Sequence, residues 1–438
     1  MTASLEEQLA VLLPDYLARQ RFFTGDEPPE SVEIVDREQV GEVLWLLVRV
    51  PGDDAAYQVP VGFQPLDQME EWLKGKGRYI IGDLDDEDRP LLAYDAIIDP
   101  SLVPALVAQV VDPMPEDTSV RPLAVEQSNT SLIVGEELVV KLYRRVYDGP
   151  NPDAELVGAL DAAGFDAVPH QVGTWRRHGR DLAVARSFLR GSADGWSLAV
   201  TSLRDLYQAR VAPEEAGGDF GPSATTVGAL LARLHLALAE AFGVGDGDPE
   251  AWAGELVEGL VDLDGLDDAT DAVVAARARY ERLGAVTDPG PAIRIHGDLH
   301  LGQLLRNDEG WYVLDFEGEP RVPIARRSRP SSALRDVAGM LRSFHYAAEG
   351  VLAERHEPPD PELGALALAW EDRCANAFLA AYLNEPGIDA LLPADDAALH
   401  TVLGAFELGK AVYEVGYERS HRPDWLPIPV GAVARMLT

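Results

Sequence analysis

The chain contains one cysteine, Cys374, in 438 residues. A single thiol excludes an intrachain disulfide and any thiolate cluster around a metal, and it fits a reducing compartment. Basic residues are also scarce, with 37 Lys and Arg against 74 Asp and Glu for a formal net charge of −37. Binding along a nucleic-acid backbone needs clustered cations, so no nucleic-acid partner is expected, and an anionic membrane surface would repel such a chain. No stretch reaches the roughly 18 uninterrupted apolar residues of a membrane span. The longest contender, Val227 to Phe242, is broken by Arg233 and His235 and reads as a buried helix. Met1 to Leu13 carries Glu6 and Glu7 where a secretory signal would carry cations, so a cytoplasmic location is expected. There is no Walker A motif, which removes the P-loop nucleotidases, and no internal repeat or heptad run.

What is present is ordinary globular composition, 47% hydrophobic and 25% charged. The length exceeds a single core and suits two or three domains. Residues 1–90 show a short helix (Leu5 to Gln20) and alternating stretches, Val43 to Val50 and Ala56 to Val61, that read as strands. The Asp-rich run Gly82 to Asp88 is turn-forming and is taken as a boundary. Residues 91–190 continue with an apolar helix (Pro100 to Val111), strands Ala124 to Val134 and Leu138 to Tyr143 around the turn Gly135-Glu136-Glu137, and a helix after Pro152. That helix carries Asp153 and Glu155 in its first turn, where the helix dipole favours them. Residues 191–438 are largely helical, with one irregular, motif-dense segment from His296 to Pro320.

That segment holds Ile295-His296-Gly297-Asp298-Leu299-His300-Leu301-Gly302-Gln303 and then Trp311-Tyr312-Val313-Leu314-Asp315-Phe316-Glu317-Gly318-Glu319-Pro320. An acid in a tight loop precedes an amide by five residues, and a second acid comes after a short apolar strand. Phosphoryl transfer asks a protein for an oriented nucleophile and for divalent metal to neutralise the phosphates. Asp298 can accept the proton of an attacking hydroxyl, and Gln303 and Asp315 offer the hard oxygens that Mg²⁺ prefers. Two rival readings stand beside this one: solvated loop acids, which an acidic chain supplies freely, and a zinc pair from His296 and His300, whose spacing would need a helix where Gly297 suggests a loop.

Lys141, the one cation in the apolar strand Leu138 to Tyr143, comes after the polar loop Gln127, Ser128, Asn129, Thr130, Ser131 and before Glu155. It can bind nucleotide phosphates while Glu155 holds its ammonium, or simply point at solvent. The loop lacks a Gly-x-Gly-x-x-Gly pattern, yet its hydroxyls and amides can still cap phosphates. Near the C-terminus, Glu407, Lys410, Tyr413, Glu414, Tyr417, Glu418 and Arg419 recur at helical spacing ahead of Trp425. Converging carboxylates and aromatic faces suit a sugar; the alternative is an amphipathic helix with a Trp latch.

At these residues the chain resembles the actinobacterial maltokinase group, relatives of the aminoglycoside phosphotransferases that include glucosamine kinases. The likeness extends over Leu17 to Phe23, Glu126 to Ser131, Asn151 to Leu156, Gly217 to Phe220, His296 to Gln303, Asp315 to Pro320, Leu334 to Ser343 and Lys410 to Pro429. It implies an α+β, bilobal, eukaryotic-kinase-like fold: an N-terminal α/β cap (1–90), a nucleotide-binding subdomain (91–190) and a mostly helical lobe with the catalytic loop and acceptor site (191–438). It further implies ATP and Mg²⁺ as cofactors, Asp298 as base, Gln303 and Asp315 as metal ligands with Glu317 nearby, and Lys141 with Glu155 as the phosphate anchor. His300 and Glu319 join the C-terminal residues as the expected acceptor site. The cap departs from the maltokinase pattern: Phe22-Phe23-Thr24-Gly25-Asp26-Glu27 is acidic where those proteins carry Gly and basic residues. An acidic pocket suits a cationic amino sugar, so phosphorylation of glucosamine at its 6-hydroxyl is the first expectation and of maltose at C1 the second. An aminoglycoside kinase and an inactive kinase-like binding protein are further alternatives, and no obligate protein partner is evident.

Overall fold

The computed structural model describes residues 4–25, 27–68, 75–86, 89–116, 119–123, 128–266, 269–355 and 360–437. The chain divides into two compact units, residues 1–158 with 169–190 and residues 159–168 with 191–438.

The first unit runs α1 (Leu5–Ala18), β1 (Glu33–Val40), β2 (Val43–Arg49), β3 (Ala56–Pro65), β4 (Ile80–Asp85), β5 (Pro90–Asp95), α2 (Val103–Val107), β6 (Val120–Pro122), β7 (Thr130–Val134), β8 (Leu138–Leu142), β9 (Arg145–Val146), α3 (Pro152–Ala162), β10 (Gln171–Arg177) and β11 (Arg180–Ser187). Ser4 starts α1 with a capping box: its hydroxyl accepts from the Glu7 amide, and the Glu7 carboxylate accepts from the Ser4 amide at 2.7 Å. Leu9, Leu13, Tyr16 and Leu17 form the buried stripe of the helix, packed in one cluster with Leu46, Val59 and Ile81 of the sheet. Each such side chain contributes about 1.5–3 kcal/mol by leaving water.

Two antiparallel sheets result. One has the order β1-β2-β3-β5-β4, with β9 paired to the start of β3; the other has the order β10-β11-β8-β7-β6. A single apolar cluster joins them, in which Trp45 of β2 meets Trp175 of β10 at 5.4 Å between rings. The boundary expected near residue 90 therefore falls inside the β4–β5 hairpin, and Val40, Val43, Trp45 and Leu47 share a core with Leu132, Val140 and Trp175. The helix expected over Pro100 to Val111 is shorter, Val103–Val107, in a stretch whose β-branched residues and proline lower helix propensity. Ala124 to Gln127, the start of an expected strand, lie outside the described residues.

The second unit comprises α4 (Gly195–Ala209), α5 (Gly221–Phe242), α6 (Pro249–Gly259), α7 (Ala269–Gly284), α8 (Ile324–Arg327), α9 (Leu334–Ala353), α10 (Pro361–Leu383), α11 (Asp396–His421) and α12 (Pro427–Leu437), with a small sheet of β12 (Ala193–Asp194), β13 (Leu304–Arg306) and β14 (Trp311–Val313). By length and composition alone α5 would suit a bilayer. It instead buries Leu230, Leu231, Leu234 and His235, and the backbone of α10 approaches so closely that a Cβ on Gly228 would meet the Phe378 carbonyl at 2.2 Å. Sixteen of the 20 residues of α9 are buried, Asp336, Arg342 and His345 among them. Buried polar groups need partners. Their partners organise the site.

Candidate active site

Asp336, in the first turn of α9, accepts from the backbone amides of His296 and Gly297, both at 2.8 Å. Its second task is His235 of α5, whose Nε2 lies 3.2 Å from Oδ2 and whose Nδ1 lies 2.8 Å from the Tyr382 hydroxyl. Burial opposes the Asp336 charge, but His235 and the amides outweigh it and hold the carboxyl below its ordinary range. The motif loop is thereby pinned by a residue 39 and 40 positions away. Gly297 makes the turn at φ +83°, a conformation open to glycine.

His296 ties the two motif segments together. Its Nε2 donates to the Leu314 carbonyl at 2.8 Å, its Nδ1 accepts from the Asp298 amide at 3.3 Å, and its ring packs on Phe316 at 4.6 Å. Both ring nitrogens are engaged, so the zinc reading fails. His300 caps the short turn Leu301–Gln303, its Nδ1 accepting from the Gly302 amide at 3.0 Å; burial, ahead of the charges around it, lowers its pKa. The Gln303 carbonyl accepts from Leu314, and its side-chain amide reaches Asp315 Oδ2 at 3.4 Å. Asp315 takes φ +61°, a left-handed conformation that is costly for a residue with a side chain and that clusters at functional sites. The next loop is held by Arg327, which donates to the carbonyls of Glu317, Pro320 and Val322. No spacing pattern in the sequence marks Arg327, Asp336 or His235 as part of this site.

Asp298 faces a cavity of about 310 Å³ that Glu319, Lys410 and Tyr413 also line. Lys410 Nζ donates to Asp298 Oδ1 at 2.8 Å and to Glu319 Oε1 at 2.6 Å, and sits 4.8 Å from the centre of the Tyr413 ring. Burial disfavours both charges, yet each partner's field outweighs it: the Asp298 carboxyl is held low, with Lys410 and then His300 as causes, and the Lys410 ammonium is held well above its usual range by Asp298 and Glu319.

The other C-terminal residues divide among different neighbours. Glu414 accepts from Arg342 at 2.6 Å, and Glu418 from Tyr346 at 2.6 Å and from Arg422. Trp425 stacks on Tyr346 at 5.9 Å, Tyr417 stacks on His421 at 4.4 Å, and Arg419 is exposed. Burial raises the pKa of Glu407. Of the C-terminal set, Lys410 and Tyr413 alone line the cavity.

In the first unit, Lys141 lies on β8 with Asp153 Oδ2 at 3.6 Å, and the wholly buried Asp153 is fixed by Arg186 at 3.0 Å and by the Tyr143 hydroxyl at 3.2 Å. Asp153, two residues before the expected Glu155, is a carboxylate beside Lys141. Glu155 is half-buried in the same first turn of α3. Thr130 and Ser131 belong to β7, Ser131 opposite Lys141 in register. The Thr130 hydroxyl accepts from the Arg144 guanidinium and the Asn129 side-chain Oδ1 from the Arg144 backbone amide, while the Ser128 hydroxyl accepts from Asn129 Nδ2; Gln127 lies outside the described residues.

Residues 119–389 match the Phosphotransferase enzyme family and residues 16–99 the Maltokinase N-terminal cap domain. A glucosamine kinase of Mycolicibacterium smegmatis is 33% identical over 330 residues, covering 72% of this chain and 79% of that protein. One from Streptacidiphilus jiangxiensis is 32% identical over 328 residues, covering 71% and 72%. A solved glucosamine kinase in complex with glucosamine, ADP and inorganic phosphate superposes with a TM-score of 0.70 at 25% identity, over 100% of both chains. The α+β kinase-like fold expected from the sequence is the observed one, and the chain belongs to the phosphotransferase enzyme family.

Proposed function

We propose that this protein transfers the terminal phosphoryl group of ATP to the 6-hydroxyl of free glucosamine. The observation that carries this reading is Asp298: an ionised carboxylate on a cavity wall, with Oδ1 held by Lys410 and Oδ2 taking no protein donor among the described residues. An acceptor hydroxyl can hydrogen-bond to Oδ2. As its oxygen forms the bond to the terminal phosphorus and the bond to the bridging oxygen of ADP breaks, the hydroxyl proton passes to Asp298. The low pKa of the carboxyl keeps it ready to accept at neutral pH.

The Asp315 carboxylate and the Gln303 side-chain carbonyl are hard oxygen ligands, and the two side chains lie together, Gln303 Nε2 donating to Asp315 Oδ2 at 3.4 Å, so the pair fits Mg²⁺. A bound ion would neutralise phosphate charge. Lys141, positioned by Asp153 and with Glu155 in the same helical turn, is assigned to the nucleotide phosphates, and Ser128 to Ser131 to the neighbouring loop. Glucosamine is named because both curated relatives and the superposing complex are glucosamine kinases. Maltose is the second reading, favoured by the match of residues 16–99 to a maltokinase cap.

The test is a coupled ADP-release assay over glucosamine, glucose, N-acetylglucosamine and maltose. Glucosamine should give the highest kcat/KM. Rapid turnover of maltose with glucosamine inert would replace this reading with the second.

A further inference from the structure

The charge pairing in the cavity can be traced residue by residue. Arg321 forks onto Asp262 at 2.8 and 3.0 Å, Arg326 bonds Glu258 at 2.7 Å, and Arg335 bonds Glu255 at 3.0 Å. Those three arginines and three carboxylates cancel. Asp336, a further lining acid, is held by the amides of His296 and Gly297 and by His235. Lys410 remains, shared by two carboxylates, Asp298 and Glu319. Within that cluster one ammonium meets two carboxylates, so one negative charge of the Asp298–Glu319 pair is unmatched.

We propose that Glu319 is the specificity-determining carboxylate of this site, receiving the ammonium of an amino-sugar acceptor; the inference rests on the amino-sugar reading above. Asp298 Oδ2 is reserved for the hydroxyl that reacts, whereas Glu319 Oε2 takes no protein donor among the described residues. The place already accommodates an ammonium, that of Lys410, with Tyr413 presenting its ring face to the same cation. Of the acids that sequence spacing suggested for this task, Glu414 is bonded by Arg342, Glu418 by Tyr346 and Arg422, and Glu407 does not line the cavity. A neutral hydroxyl or acetamido group in place of the ammonium would leave Glu319 desolvated and unmatched, and this is the physical origin of the discrimination.

The experiment measures kcat/KM for glucosamine and for glucose with the full chain, in the wild type and in Glu319→Gln, Glu319→Asp and Glu258→Gln. The glucosamine-to-glucose ratio should fall about 10- to 100-fold in Glu319→Gln, whatever the absolute rates, and recover in part in Glu319→Asp. Glu258→Gln removes the same unit of charge from the same cavity, and the ratio there should stay within about twofold of wild type. An equal fall in both Gln variants would mean that overall cavity charge, not Glu319, selects the acceptor, and would overturn the proposal. A wild type that prefers glucosamine and keeps its ratio in Glu319→Gln overturns the proposal alone; a wild type that prefers a neutral sugar overturns the amino-sugar reading as well. Unchanged melting temperature and circular dichroism show that each variant is folded.

Discussion

Two buried clusters, one in each unit, each join a cation to carboxylate and to an aromatic ring, and do different work. In the first unit the Arg144 guanidinium, 1% exposed, bonds Asp95, the Thr130 hydroxyl at 2.9 Å and the Gln58 carbonyl at 3.1 Å, while Tyr16 donates to the same Asp95 and Phe22 covers the guanidinium face. Gln58 completes the seam between the two sheets, accepting from Trp45 and donating to the carbonyls of Tyr143 and Leu182. In the second unit Lys410, Asp298 and Glu319 also share short bonds, but they line a cavity and keep carboxylate oxygens without protein donors among the described residues. A buried ion cluster whose donors and acceptors meet on every side holds a fold together; one left incomplete beside a cavity is poised for a ligand.

Substituting at each cluster should separate the two roles. The largest effect is expected for Asp298→Asn, which keeps the shape of the side chain and removes the base: kcat should fall by about 10²- to 10⁴-fold. Nucleotide affinity, read by calorimetry, should persist, since the base acts on the acceptor. A variant retaining wild-type turnover would remove Asp298 from the mechanism.

Arg144→Met tests the other side. It leaves the buried Asp95 carboxylate without its cation, and breaking such a pair costs about 3–5 kcal/mol. Chemical denaturation should show that loss, while KM for the sugar, measured where the variant is still folded, stays near wild type. A stable Arg144→Met protein with altered sugar kinetics would erase the distinction between the clusters.

How much of this could be read from the sequence depends on the range of each interaction. His296 to Gln303 and Asp315 to Glu319 declare their chemistry through spacing because a turn and a short strand fix their geometry locally. Their scaffold does not: Asp336 reaches His296 across 40 residues and His235 across 101, and nothing in a linear pattern joins them. The partner of Lys141 shows a finer limit. Asp153 and Glu155 occupy one helical turn on different faces, and the bonds that hold Asp153 beside the lysine come from Tyr143 and Arg186, 10 and 33 positions away. The acidic run taken as a boundary overlaps the edge strand β4, which exposes Asp83 and Asp85 and buries Ile81 and Leu84. Edge strands commonly carry charge, and a bulge between Ile80 and Gly82 breaks the alternation that would have betrayed it.

The smallest effect, and the sharpest for the incomplete cluster, is a shift in a pH profile. Burial disfavours ionised Asp298, and Lys410 is the leading counterweight, with His300 next. A carboxyl held below its ordinary pKa acts as a base above that pKa and loses this action as pH falls through it, so the wild-type acidic limb of kcat/KM should lie below the ordinary carboxylate range. Lys410→Met removes the counterweight and leaves Glu319 repelling the same carboxylate, and both changes favour the protonated form. The acidic limb should therefore move toward neutral pH, with the plateau rate reduced less than in Asp298→Asn. Because kcat/KM reports the free enzyme and substrates, ionisations of ATP and of the sugar amine are common to both proteins and cancel in the comparison. An acidic limb left in place by Lys410→Met would mean that something other than this lysine sets the charge on Asp298, and the shared ammonium would then belong with the seam of the first unit, as structure alone.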